Sequence, residues 1–133
     1  MHRGRGVEIR TNTTVTGFEG DKQVQRVLCG EKEAVDADLV VIGIGILPND
    51  ELASTADLAT DNGIIVDELG QTEDPYIYAA GDVTNHPNAI LGRRVRLESW
   101  QNAQNQAITV ANAMCGIEEP YAQVPWFWSD QYD

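Results

Sequence analysis

Between Lys32 and Arg93 the chain has no lysine or arginine, and over 133 residues nine basic side chains face 21 acidic ones, for a net charge of -12. So little positive charge excludes nucleic acid as a partner. Cysteine is scarce as well. Cys29 and Cys115 stand alone, in neither C-x-x-C nor metal-ligand spacing, and neither His2 nor His86 has a companion with which to hold a metal. Both thiols read as reduced and structural. No apolar run approaches the roughly 20 residues of a membrane span, so no membrane association is expected. The basic start, MHRGRGVEIR, has no apolar stretch behind it and does not read as a secretory signal, which makes the cytoplasm the expected compartment.

What is present is enough for one ordinary domain with a core. Val7 to Thr11 alternates apolar with polar and predicts a strand. Thr14 to Glu19, Val24 to Cys29 and Ala34 to Ala37 follow, with turn signals at Gly20-Asp21-Lys22 and Gly30-Glu31-Lys32, and together predict a small antiparallel meander. Asp38 to Gly45, DLVVIGIG, is a continuous apolar run of the kind buried on both faces of a parallel sheet. Gly43 and Gly45 clear its end, either for a ligand or for the close passage of a crossing loop. Asp50 to Leu58 is weakly helical, and Asp61-Asn62-Gly63 turns into a short strand at Ile64 to Val66.

Thr72 to Asp82, TEDPYIYAAGD, specifies most. Tyr76 to Tyr78 predicts a short buried strand, after which Ala79, Ala80 and Gly81 strip away side-chain bulk and Asp82 presents a carboxylate beyond the strand end. Such an acid accepts hydrogen bonds from ligand hydroxyls, as on a ribityl chain, though a Gly-Asp pair also serves a plain turn. Val83 to Gly92 shows no periodicity and receives no structure. Arg93, Arg94 and Arg96 then crowd into four positions, as a solvated loop or as a docking spot for an acidic partner or a pyrophosphate. Leu97 to Cys115 predicts one long helix capped by Ser99 and stopped by Gly116. Leu97, Trp100, Ala103, Ala107, Val110 or Ala111, and Met114 lie on its apolar face, with Gln101, Asn105, Gln106 and Asn112 largely elsewhere. The tail, YAQVPWFWSDQYD, is aromatic-rich and poor in charge and is expected to pack as core or interface.

Thr72-x-x-x-x-Ile77-Tyr78-Ala79-Ala80-Gly81-Asp82 resembles the second flavin motif of the two-dinucleotide-binding-domain flavoprotein reductases. Pro125-Trp126-Phe127-Trp128-Ser129-Asp130-Gln131 and Leu97-Glu98-Ser99-Trp100-Gln101-Asn102-Ala103 are similar to segments of ferredoxin, putidaredoxin and rubredoxin reductases, the reductase components of aromatic-ring dioxygenase and P450 systems. The resemblance runs from about Gly6 to Gln131 and implies an α/β chain: a partial two-dinucleotide-binding-domain flavoprotein fold with a small antiparallel β-meander, parallel strands and one long helix. It implies NAD(P)H passing a hydride to FAD, and FAD passing single electrons to a ferredoxin-type iron-sulfur protein. Gly81 and Asp82 would meet the ribityl and pyrophosphate region, Ser99 and Trp100 the isoalloxazine edge, and Trp128 the partner-facing side of the flavin. Gly43, Gly45 and Glu98 would line the nicotinamide side, although a helix-start carboxylate such as Glu98 needs no ligand. Arg93, Arg94 and Arg96 would receive the acidic ferredoxin.

Such enzymes carry two G-x-G-x-x-G fingerprints, and here there is none; Gly43-Ile44-Gly45 ends a strand instead of opening a helix, and no third glycine follows. The expectation is therefore an internal or C-terminal piece: residues 1–49 from the end of an NAD(P) domain, 50–118 from the returning part of an FAD domain, and 119–133 from the start of an interface domain. Flavin retention by the chain alone is expected to be weak or absent. Two rival readings are a piece of a pyridine-nucleotide disulfide reductase or NADH oxidase, and a non-catalytic remnant that oligomerises through an exposed strand edge or its aromatic tail.

Overall fold

Alternation from Val15 onward becomes an antiparallel sheet of β1 (Val15–Glu19), β2 (Arg26–Cys29) and β3 (Glu33–Asp36), in the order β1-β2-β3. Glu19 pairs with Arg26 and Val27 with Val35, and a bulge at Thr16 lets Gly17 oppose Leu28. The Arg26–Glu19 ion pair at 2.6 Å spans the first rung in the open, where such pairs stabilise little. These strands belong to the first of two compact units, Met1–Gly45 and Ile46–Asp133, in a computed structural model that describes residues 1–132.

Two predicted strands of this unit do not form. Residues 7–11 pair with no strand and leave Val7 and Ile9 exposed; Arg10 fastens the segment by ion pairs to Glu8 and to Glu33 of β3. The apolar run from Asp38 to Gly45 is irregular, with Ile44 92% exposed. A strand buried on both faces needs a neighbour on each edge and a layer on each side. The described residues of this unit supply neither, and Val40 to Ile44 line an open apolar groove with Thr13 to Phe18 and Val27.

The second unit is built on a strand that the sequence pattern hides. β5 (Thr84–Asn88) pairs in parallel with β4 (Ile64–Ile65) and antiparallel with β6 (Arg93–Val95), and four of its five residues are buried. TNHPN has no apolar alternation and contains a proline, so the 83–92 stretch reads as unstructured from sequence. Burial is permitted because its polar atoms are partnered. Asn85 Nδ2 donates to the Asp61 carbonyl (2.6 Å), Asn88 Nδ2 to the Gln123 carbonyl (3.0 Å), and Asn88 Oδ1 accepts from the Leu91 N–H (2.9 Å). The short helix α1 (Glu51–Thr55) precedes β4 and buries Ala53.

The long helix α2 runs Trp100–Met114, and the Ser99 side chain caps it by accepting from the Asn102 N–H at 3.2 Å. Its inward face matches the predicted one at Val110 and differs from it elsewhere. Asn102, Gln106 and Val110, spaced by four, are buried, whereas Trp100 is 71% exposed and Met114 is open as well. The helix packs on polar β5 and on the 121–123 segment, so hydrogen-bonding side chains are the ones that fit inward. Tyr121 Oη donates to Asn102 Oδ1 (3.1 Å), and Asn105 Nδ2 to Gln123 Oε1 (2.6 Å). Tyr76 to Tyr78 is likewise a turn instead of a strand. Asp74 accepts from the Tyr76 N–H through its side chain and from the Ile77 N–H through its carbonyl, and Tyr76 is left 91% exposed. Among the described residues no helix is long and apolar enough to cross a membrane.

Gly70 is fixed by its surroundings. At φ +77° it would hold a Cβ 2.2 Å from Val110 Cγ2 and 2.9 Å from the Ala79 carbonyl oxygen. Gly70→Ala is expected to destabilise this unit by about 2–4 kcal/mol. In a Val110→Ala background the added cost should shrink to the backbone part, about 1–2 kcal/mol, as read from a urea-denaturation double-mutant cycle.

His86 is 1% exposed, packs edge-on to Tyr121 at 5.4 Å, and has an Nε2 with no hydrogen-bond partner. Burial pushes its pKa below the ordinary 6.5; the Arg94 charge adds to this and the hydrogen bond at Thr84 opposes it. The unfolded chain thus takes up this proton first. The neutral ring's contribution is complete above about pH 6.5 and is lost as pH falls toward the lower folded value. The urea midpoint should fall between about pH 7.5 and 5.5, and His86→Phe, which keeps the ring contact, should flatten that slope.

Candidate functional site

The small residues after Tyr78 bring the chain into a tight turn against α2. At Gly81 the backbone has φ +84°, and an added Cβ would lie 3.6 Å from the Ala103 Cβ, so helix and turn touch. The Gly81 carbonyl accepts from the Thr84 N–H (3.0 Å), which closes the turn Gly81-Asp82-Val83-Thr84, and the single proton of the Thr84 hydroxyl is shared between that carbonyl and Gln106 Oε1, each 2.9 Å away. The Gly81 N–H points inward and donates to Gln106 Oε1 at 2.8 Å. That amide is spent on the fold. Gly81 therefore shapes the site through conformation, with no N–H left for a phosphate.

Asp82 sits at the tip of this turn, exposed, with a carboxylate that no described residue engages. Its main-chain carbonyl accepts from Arg96 Nη1 at 3.3 Å. The sequence places Thr72 at the start of the motif, and the structure gives it a different task. Its buried hydroxyl meets the Asp74 and Ile77 carbonyls, each at 3.0 Å, and braces the preceding loop.

The arginine cluster divides. Arg96 is largely buried along its side chain and donates to Asn62 Oδ1 (3.1 Å) while pairing with Glu98 at 2.7 Å, so Glu98 is held by a cation of its own chain. Arg94 donates to the Val66 and Asn85 carbonyls and to Asn85 Oδ1, clasping β4, β5 and β6. Arg93 alone is exposed and uncommitted, on an open cleft with Leu91, Leu97 and Pro125. Two of the three cations expected to meet a partner thus serve the fold.

Ser99 and Trp100 begin α2, the helix whose Ala103 touches Gly81. The N–H groups of Trp100 and Gln101 have no acceptor among the described residues, which leaves the positive end of the helix dipole open. Trp128 is exposed and stacks at a tilt on Trp126, ring centres 5.1 Å apart. Gly43 and Gly45 belong to the first unit, where nothing lies within 4 Å of a Cβ placed on either. The second unit therefore sets the Gly81-Asp82 turn against Ala103, one turn into the helix that Ser99 and Trp100 begin. Gln106 and Thr84 were missed as site residues; the signal was a polar pair at positions 102 and 106, one turn apart and in line with Val110. Cys29 is buried and Cys115 exposed, and both are free.

The chain is similar to known reductases over its whole length. It is 47% identical over 136 residues to putidaredoxin reductase of Pseudomonas putida, covering 100% of this chain and 32% of that protein. It is 46% identical to the ferredoxin–NAD(+) reductase component of the anthranilate 1,2-dioxygenase system of Burkholderia cepacia, covering 100% of this chain and 33% of the other. In the crystal structure of a covalent putidaredoxin reductase–putidaredoxin complex, the reductase fold matches with a TM-score of 0.90 at 48% identity, over 99% of this chain and 32% of that one. The chain thus spans about a third of the length of the relatives it matches. The profile of the pyridine nucleotide-disulphide oxidoreductases matches residues 1–107, and the chain belongs to that family.

Proposed function

We propose that the chain is the flavin-side part of an FAD-dependent NAD(P)H:ferredoxin reductase, working in the cytoplasm and passing electrons from a nicotinamide through FAD to a small iron-sulfur protein. The observation that carries it is the unengaged Asp82 carboxylate at the tip of a turn braced from both ends. The reductase names of the relatives, and a solved complex with putidaredoxin, support the acceptor class. In domain terms, residues 1–49 would close an NAD(P) domain, 50–118 would form the returning part of an FAD domain, and 119–133 would open an interface domain.

The residues present fit one end of FAD. Asp82 offers acceptor oxygens for ribityl hydroxyls, and the open N–H groups at the start of α2 favour an electron-rich ring edge. The pyrophosphate is not provided for, because no glycine-rich fingerprint is in the sequence and the Gly81 amide is spent. When bound, the flavin would supply hydride acceptance and single-electron release. The chain's own part is to orient the ribityl arm through Asp82, hold the ring near Ser99 and Trp100, and cover it with Trp128. Glu98, balanced by Arg96, would face the nicotinamide side. Arg93 is the cation in reach of an acidic ferredoxin.

Binding by this chain alone should be weak enough that FAD is lost on purification, yet measurable by titration. Asp82→Ala should weaken FAD and riboflavin about tenfold or more, as expected for a lost charge-assisted hydrogen bond. Lumichrome, which has the ring but no ribityl chain, should bind both proteins alike. Riboflavin affinity unmoved by Asp82→Ala contradicts the assignment.

A further inference from the structure

We infer that Gln106 is the positioning residue for Asp82, acting on the flavin's sugar-alcohol arm through the turn without touching the ligand. This rests on the flavin reading of the same site. The Gln106 residue is 1% exposed, and its one carbonyl oxygen accepts from the Gly81 N–H at 2.8 Å and lies 2.9 Å from the Thr84 hydroxyl, whose single proton it shares with the Gly81 carbonyl. Those two donors stand immediately before and two residues after Asp82. A turn of this length has few soft torsions, and fixing both flanks to a single atom of a helix leaves the tip little freedom.

The helix in turn is anchored. Ser99 caps it, Ala103 meets Gly81, and Asn102 takes the Tyr121 hydroxyl. Gln106 thereby transfers the rigidity of a 15-residue helix to the turn that carries the carboxylate. The Arg96 contact to the Asp82 carbonyl holds the peptide from the opposite side, and it is longer, at 3.3 Å. Ligand binding to a preorganised acid avoids the entropy of ordering it, which is why loosening the turn should weaken affinity even though Asp82 keeps its carboxylate. A merely structural glutamine would lower stability and leave the worth of Asp82 unchanged.

A double-mutant cycle on the 133-residue chain separates the two, with FAD dissociation constants read by flavin fluorescence and Gly81 amide exchange read by NMR. Gln106→Met keeps length and removes the acceptor; it should weaken FAD about tenfold, raise Gly81 exchange, and add nothing once Asp82→Ala is present. Gln106→Glu, which keeps an acceptor oxygen, should restore most of the affinity. Thr84→Val, which cuts one of the two bonds, should give a smaller loss and serves if Gln106→Met does not fold. Additive losses in the cycle, or wild-type affinity in Gln106→Met, overturn the positioning role alone. FAD affinity indifferent to Asp82→Ala overturns the flavin reading and this role together.

Discussion

A strand of polar side chains sits where an apolar one would ordinarily be, and each of its buried atoms demands a partner. β5 carries Thr84, Asn85, His86 and Asn88 into the interior of the second unit. An unsatisfied group there costs about 1–3 kcal/mol, so the surroundings are organised around meeting that demand. Gln106 serves Thr84, Arg94 and the Asp61 carbonyl serve Asn85, and the Gln123 carbonyl and the Leu91 amide serve Asn88. Only His86 Nε2 goes without, among the buried side-chain atoms of the described residues. The same requirement explains why Gln106 turns inward from α2, why Arg94 spends its donors on Asn85 and Val66, and why the chain after α2 folds back.

Sequence made the local turns and caps legible, because their chemistry is short-range. The meander of β1 to β3, the Asp61-Asn62-Gly63 turn, the start of α2 at Ser99 and the exposed acid after Gly81 all follow from residues within a few positions of one another. Amphipathic reasoning failed where burial depended on partners distant in sequence. Counting apolar residues put Trp100 and Met114 inside, but what the helix meets is a hydrogen-bonding strand, so Asn102 and Gln106 are interior instead. TNHPN failed for the same reason. Its pairing with β6 and its links to residues 106 and 123 are not visible in five letters that read as a loop.

Two other readings failed through missing neighbours. DLVVIGIG has the composition of a central strand, and among the described residues nothing pairs with it, so its isoleucines stand in solvent. VEIRT has alternation but joins neither edge of the β1-β2-β3 sheet, and Arg10 ties it there by side-chain ion pairs instead. Strand propensity expresses a fit to a surface, and it yields no strand where that surface is absent. Of the candidate site, the acid and the helix start were legible, while the glutamine behind them was not, because its role depends on a hydrogen bond across 25 positions of sequence.

The fastening of residues 121–123 has a geometric corollary for what lies beyond. Tyr121 donates its hydroxyl to Asn102 and its N–H to the Glu68 carbonyl, and Gln123 is gripped by Asn88 and Asn105. Gln123 is therefore a mooring point. Five residues of fully extended chain reach about 17 Å. The Trp128 indole is thus on a short leash: wherever residues 124–127 swing, it stays within one small radius of Gln123, and lengthening that stretch would widen the radius without altering a single atom of the indole.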